Sequence, residues 1–265
     1  MSQNTASSTA PASQPATQPA TQPATQPATQ PSILVVSAHA ADFVWRAGGA
    51  IALYAERGYH VRIVCLSFGE RGESAKMWRQ PGMTMDRVKA ARHEEAQRAA
   101  EILGGTLECF DLGDYPLRVP DEALLRLADI YRDIRPELVL SHSREDIYNF
   151  DHPLATYVAQ EARVIAQAHG YKPEVPVIGA PPVFLFEPHQ PEQCNWKPDV
   201  LLDISSVWEK KQRAFTTMAA QEHLWEYYTR VALQRGAQAT RNSDRKVQYG
   251  EGYARVFPQV SEVLA

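Results

Sequence analysis

Short apolar runs alternate with longer stretches of helical period, and this alternation limits the folds open to the chain more than any other feature. Ile33-Leu34-Val35-Val36 reads as a buried strand, and a helical pattern follows from Phe43 to Arg57, with Gly58 as its stop. His60 to Ser67 is a second strand, and a helix over Thr84 to Leu103 follows, closed by Gly104-Gly105. Leu107 to Asp111 and Leu138 to His142 repeat the unit, with helices expected over Pro120 to Arg135 and His152 to His169. Val183 to Glu187 and Val200 to Ile204 are two further strands, and one long helix is expected over about Ser206 to Arg235. Such alternation implies an α/β fold, a mostly parallel Rossmann-like sheet with helices on both faces.

Residues 1–31 stand apart. They carry no charged side chain and repeat Ala-Thr-Gln-Pro with period four up to Pro31. Proline at every fourth residue forbids a helix, and no side chain there is large and apolar enough to bury. A disordered tail over 1–31 and one catalytic α/β domain over 32–265 are therefore expected. The tail has neither the basic start nor the apolar centre of a signal peptide. The 44% hydrophobic content suffices for a core, and the net charge of −4 argues against a nucleic-acid or anionic-membrane partner. No apolar run is long enough to span a membrane. Cys65, Cys109 and Cys194 are widely spaced and odd in number, so no disulfide framework is expected and a reducing cytoplasm suits the chain.

In sheets of this class, ligands bind beyond the carboxyl ends of the strands. The polar residues gather there. His39 and Asp42 follow the first strand; Glu70, Arg71 and Glu73 the second; Asp111 and Asp114 the third; His142, Asp146, Asp151 and His152 the fourth; Glu187 and His189 the fifth. A catalytic zinc ion typically takes three protein ligands and keeps a position open. His39 and Asp42 share one turn, and His152 completes the set if the first and fourth strands are neighbours. Asp151 is a candidate to orient a ligand histidine as well as a helix cap. His60, His93 and His169 read as structural or solvated. His142, His189 and His223 are candidates to line the site. Arg71, with Lys76, Arg79 and Arg46, can clamp carboxylates by paired hydrogen bonds. The aromatic residues Trp208, Phe215, Trp225, Tyr227 and Tyr228 serve either oligomerisation or the chain's own core.

From about Ile33 to Gly170 these residues resemble the PIG-L/LmbE-like proteins, zinc-dependent N-deacetylases of sugar conjugates with a Rossmann-like fold. Their hallmark is His-Pro-Asp-Asp-Glu after the first strand and Asp-His after the fourth. Here the first motif reads His39-Ala40-Ala41-Asp42-Phe43 and the second Asp151-His152. The resemblance implies His39, Asp42 and His152 as ligands of one zinc ion. It places Ala41 where the deacetylases carry their general base, and alanine cannot take a proton. Longer runs, among them Phe68-Gly69-Glu70-Arg71-Gly72-Glu73-Ser74, Phe186-Glu187-Pro188-His189-Gln190-Pro191 and Gln221-Glu222-His223-Leu224-Trp225-Glu226, are similar to one subgroup, the 4-oxalomesaconate hydratases of gallate degradation.

That similarity implies addition of water to the double bond of an oxo-tricarboxylate, a small-molecule substrate, giving 4-carboxy-4-hydroxy-2-oxoadipate; the family also suggests a homo-oligomer. With Ala41 inert, the acid and base must come from other strand ends: Glu73 or Glu70 first, His189 as partner, Asp151 in reserve. Arg71, Arg79, Arg46, His142 and His223 are the expected substrate contacts. The competing expectations are a zinc N-deacetylase with a relocated base and a non-catalytic metal-binding scaffold.

Overall fold

The computed structural model describes residue 1 and residues 30–262, so the repeat tail expected over 1–31 lies almost wholly outside the described residues. Seven strands form one sheet: β1 (Ser32–Ser37), β2 (His60–Cys65), β3 (Thr106–Cys109), β4 (Leu138–Ser141), β5 (Val183–Phe186), β6 (Val200–Asp203) and β7 (Gly250–Arg255). Their order is β3-β2-β1-β4-β5-β7-β6. β1 pairs in parallel with both β2 and β4, as β2 does with β3 and β4 with β5, while β7 runs antiparallel between β5 and β6. The chain leaves β1 toward one edge and returns at β4 to build the other. The crevice for a ligand therefore opens between the ends of β1 and β4.

The helices are α1 (Asp42–Glu56), α2 (Ala75–Trp78), α3 (Met85–Leu103), α4 (Asp121–Ile134), α5 (Asp151–Gln167), α6 (Trp208–Thr217) and α7 (Trp225–Arg241). β1 is buried along its whole length, so its alternation serves two cores. Ile33 and Val35 join the layer holding α1, α3, α6 and α7, whereas Leu34 and Val36 join the layer of α4 and α5. The local signals explain the helix ends: the Thr84 side chain accepts from the Arg87 N–H at the start of α3, and Gly104 closes that helix at φ 85°. Among the described residues no helix is long and apolar enough to cross a membrane.

One expectation is corrected, and one strand, β7, was not expected from the sequence. The long helix over Ser206 to Arg235 is broken: α6 ends at Thr217, a 3-10 segment spans Ala219–Leu224, and Gln221 within it is non-helical at φ −125°, ψ 32°. Glu95 of α3 holds the break open, its carboxylate accepting the Ala220 N–H at 3.0 Å and its carbonyl the Thr217 hydroxyl at 3.2 Å. The strand β7 carries too little β-forming character in Gly-Glu-Gly-Tyr-Ala-Arg to be read from sequence. It is held by Glu251, which is buried and accepts from Lys211 Nζ at 2.6 Å, the Gly49 N–H at 2.7 Å, the Ala50 N–H at 2.9 Å and the Tyr253 hydroxyl at 2.6 Å. Of the aromatic set, Trp208, Phe215 and Tyr228 belong to the chain's own core, with the partly buried Trp225 and Tyr227 packed against it. The three cysteines are free.

The same place gives a stability prediction. A Cβ on Gly49 would lie 2.5 Å from Ile204 Cγ2 and 2.8 Å from Glu251 Oε1. Gly49→Ala gains about 0.5–1 kcal/mol of helix propensity but overpacks the joint of α1 with β7, at a cost of about 1–3 kcal/mol. A lower urea midpoint with an unchanged slope is expected; an equal or higher midpoint would show that the joint has room.

Candidate metal centre and cleft

The turn after β1 builds itself. The backbone N–H of His39 donates to Asp42 Oδ2 at 3.0 Å, and the Asp42 N–H closes back on the His39 carbonyl at 3.4 Å. This fixes both side chains at the mouth of α1. His39 Nε2 is 3.2 Å from Asp151 Oδ2, which leaves Nδ1 facing Asp42 at 3.1 Å and Glu73 Oε1 at 3.2 Å. From the end of β4, the His152 Nδ1 is held by Asp146 Oδ2 at 2.8 Å. Its Nε2 is buried, 3.3 Å from Asp42 Oδ1, and has no hydrogen-bond partner.

These residues fit a divalent cation. One ligand atom each from His39, Asp42, Glu73 and His152 lies within 4.8 Å of the others. His152 Nε2 and Glu73 Oε2 are both buried without a hydrogen-bond partner, a costly arrangement that a cation would relieve. Each candidate ligand histidine has its other ring nitrogen on a carboxylate, the arrangement that sets ligand tautomer and orientation in metal sites. The charge balance points the same way. Burial alone would lower the pKa of His39, but Glu73, Asp151 and Asp42 outweigh it and hold it well above the ordinary value. Burial would likewise raise Asp151, yet hydrogen bonds from His39 and the Tyr115 and Leu117 N–H groups pull it down to about 2.

The cleft beside this group, about 200 Å³, is lined by Asp42, Arg46, Glu73, His152, His189 and Gln221, with Tyr115 and Tyr228 among its aromatic walls. Arg46 lies one helical turn beyond Asp42 and is 8% exposed, so its charge faces the cleft rather than bulk water. Its Nη1 donates to the Glu187 carbonyl at 2.9 Å, while Nε has no hydrogen-bond partner. His189 packs against Tyr227, the ring centroids 4.3 Å apart and the planes tilted by 30°, and the Tyr227 hydroxyl donates to its carbonyl. Burial, then the Arg46 charge, lowers the His189 pKa, so its imidazole is neutral at neutral pH.

An outer cleft of about 530 Å³ lies alongside, lined by Lys76, Arg79, Glu222 and His223, and it shares Glu73 and Gln221 with the inner one. Arg79 and His223 are exposed there, and Lys76 pairs with Glu222 at 2.8 Å.

Four of the expected site residues, Glu70, Arg71, His142 and Asp151, are not brought to either cleft. Glu70 is 1% exposed, and its carboxylate accepts the Phe68 N–H at 3.2 Å and lies 3.9 Å from Lys89. Arg71 is fastened outside by Asp114, which accepts its backbone N–H at 2.8 Å and, through its carbonyl, Nη1 at 2.7 Å. His142 lies behind the ligands: its Nε2 accepts the Ala38 N–H at 2.9 Å, and its ring stacks on His152 at 4.2 Å. Asp151 sits behind His39 and acts on it rather than on the cleft. Ala41 is fully buried in the core. Sequence reasoning missed Gln221, Tyr115 and Tyr228. It placed Asp146 at a strand end without a role; its position six residues before a ligand histidine was the available signal.

Residues 34–163 match the family model described as PIG-L: GlcNAc-PI de-N-acetylase. The chain is 66% identical over 238 residues to the 4-oxalmesaconate hydratase of Pseudomonas putida, covering 88% of this chain and 92% of that protein. It is 28% identical over 217 residues to the diacetylchitobiose deacetylase of Thermococcus kodakarensis, covering 77% of each. Among solved structures, the 4-carboxy-2-hydroxymuconate hydratase GalB from Pseudomonas putida superposes with a TM-score of 0.87 at 66% identity, over 89% of this chain and 100% of that one. The N,N'-diacetylchitobiose deacetylase of Pyrococcus horikoshii shares the fold at a TM-score of 0.71 and 22% identity, over 86% and 84%.

Proposed function

The chain belongs to the metal-dependent PIG-L family, and from that premise we propose that it is a hydratase adding water to the carbon–carbon double bond of 4-oxalomesaconate to give 4-carboxy-4-hydroxy-2-oxoadipate. The observation that carries this reading is the position of Glu73. A carboxylate from the loop after β2 faces the His39–Asp42–His152 group, while the deacetylase base position is the buried Ala41. The likeness to the two hydratases supports the substrate.

Zinc is the proposed ion. Two imidazoles and one carboxylate are a catalytic zinc donor set, and the ion supplies Lewis acidity toward a substrate oxygen. The remaining steps belong to the side chains. Glu73 takes the proton of the attacking water as the carbon–oxygen bond forms. The π electrons move onto the conjugated carboxylate, and the neighbouring carbon then takes the water proton back from Glu73, so that the elements of one water are added and Glu73 is again a carboxylate. His189, neutral and on the cleft wall, is the proton carrier for the change of tautomer: it accepts the enol proton of the hydroxymuconate form and returns it to the carbon between the enol and the double bond that is hydrated, giving the oxo form. Arg46 holds one carboxylate from within the inner cleft. Arg79 and His223, in the outer cleft, meet the far end of the substrate. Three free thiols suit a reducing cytoplasm.

The test is a direct assay with the oxo-tricarboxylate, following loss of the conjugated enol absorbance before and after chelation. Turnover that stops on chelation and returns with zinc is expected. No turnover there, with acetate released from N-acetylglucosaminyl compounds, would overturn the hydratase reading in favour of a deacetylase with a relocated base.

A further inference from the structure

The broken segment between α6 and α7 brings a residue to the seam of the two clefts that neither the motif nor the metal set accounts for. Gln221 is 7% exposed and borders both clefts beside Glu73. Its Oε1 accepts from Arg92 Nη2 at 3.1 Å. A guanidinium carries only donors, so this contact fixes which way the carboxamide faces. The oxygen must lie toward Arg92, and the NH₂ group is left for the other side. Among the described residues, that NH₂ group meets no protein acceptor.

Arg92 is itself unusual. It is 0% exposed, and its other donors reach the Phe68 carbonyl at 3.1 Å and Glu95 Oε2 at 2.7 Å. Its Nη2 lies 3.9 Å from Glu73 Oε2. One buried cation thus ties together the loop that carries Glu73, the helix α3 and the break that carries Gln221. Glu95 pins the same break through Ala220. This is more anchoring than a lone surface amide needs.

We propose that Gln221 donates a hydrogen bond to a carboxylate oxygen of the bound tricarboxylate at the seam between the clefts, and that Arg92 is the positioning residue that holds the carboxamide in the donating orientation. This rests on the hydratase reading and deepens it. The chemistry suits the place. A second cation so close to Glu73 would compete to pair with the base, whereas a neutral amide donor binds an anionic oxygen and leaves the Glu73 charge free. Gln221 sets where the substrate lies; it takes no proton.

The experiment uses the zinc-loaded full-length protein and two measurements. The first is calorimetric binding of propane-1,2,3-tricarboxylate, which has no double bond to hydrate; the second is steady-state turnover. Gln221→Leu is expected to raise both Kd for the probe and KM by about tenfold, with kcat changed by no more than about twofold. Gln221→Glu is expected to raise them further, since it places a carboxylate against the substrate's own. Arg92→Lys is expected to raise KM severalfold in the wild-type background and to have no such effect on top of Gln221→Leu, because its action passes through the carboxamide.

Wild-type affinity and KM in Gln221→Leu would overturn the proposal, and so would an equal effect of Arg92→Lys in both backgrounds. If Arg92→Lys does not fold, the two Gln221 variants decide alone. A wild-type protein that neither binds the probe nor hydrates the substrate would sink the hydratase reading itself. One that hydrates while Gln221→Leu matches it sinks only this inference.

Discussion

Glu73→Gln is expected to lower kcat by roughly 10²–10⁴-fold, the contribution typical of a positioned general base, while the protein keeps its metal. Glutamine preserves the size of the side chain and one oxygen toward His39, but it cannot take a proton. Where the resemblance to the deacetylases would place a base, this chain has Ala41, buried in the core, so no carboxylate stands there to substitute. Asp42 is engaged with His39 and His152, and Asp151 is held by three donors. Glu73 also stands within the group that could hold a metal, so the measurement must separate two roles. Metal content by elemental analysis, beside kcat and KM, does so. Full metal with a collapsed kcat is the expected result. Metal loss in step with activity would make Glu73 a ligand and return the base to an open question. His189→Gln, which keeps the ring-sized polar group but not the proton carrier, is expected to retain metal and lose rate as well.

Why Glu73 and not Glu70 was invisible in the sequence, where both stand in one glycine-punctuated loop. The choice is made by backbone geometry. Gly69 turns at φ 68°, and a Cβ there would lie 3.1 Å from Glu73 Oε2 and 3.3 Å from His39 Cβ. Only the bare glycine lets the loop close so that Glu73 reaches His39, and the same turn sends Glu70 toward Lys89 on α3. The candidate ligands were legible for the opposite reason. His39 and Asp42 are joined by a local turn, and the neighbouring of β1 and β4 follows from the connection rules of doubly wound sheets. Arg46 was legible as a helical neighbour of Asp42. Gln221 was not, because the break that presents it is held by Glu95 and Arg92, more than one helix away in sequence. β7 was hidden likewise, its glycine-rich strand being secured by Lys211 of α6 and by backbone donors of α1. What escaped the sequence is thus what depends on partners distant along the chain, and the cleft walls are made largely of such parts.

His152→Ala is expected to empty the metal centre and with it the activity. The residue is the candidate ligand supplied from across the switch point, and its Nε2 is a buried nitrogen left without a hydrogen-bond partner. Without it, His39 and Asp42 offer two donors from one turn, too few for the three-ligand arrangement of a catalytic zinc. The graded companion is Asp146→Ala. Asp146 accepts from His152 Nδ1 at 2.8 Å and is itself fixed by the Tyr148 N–H at 3.0 Å, so it sets both the ring's orientation and its tautomer. Loss of such a partner weakens metal affinity by roughly 10–100-fold; competition with a chromogenic chelator measures it. Affinity in all forms should also fall with pH. The carboxylates around His39 hold its proton well above the usual histidine range, so a proton competes for Nδ1 earlier than it would at an isolated imidazole. Full metal occupancy in His152→Ala would mean that Glu73 replaces it as third ligand. Glu73 would then be unavailable as the base, and both expectations argued here would fail together.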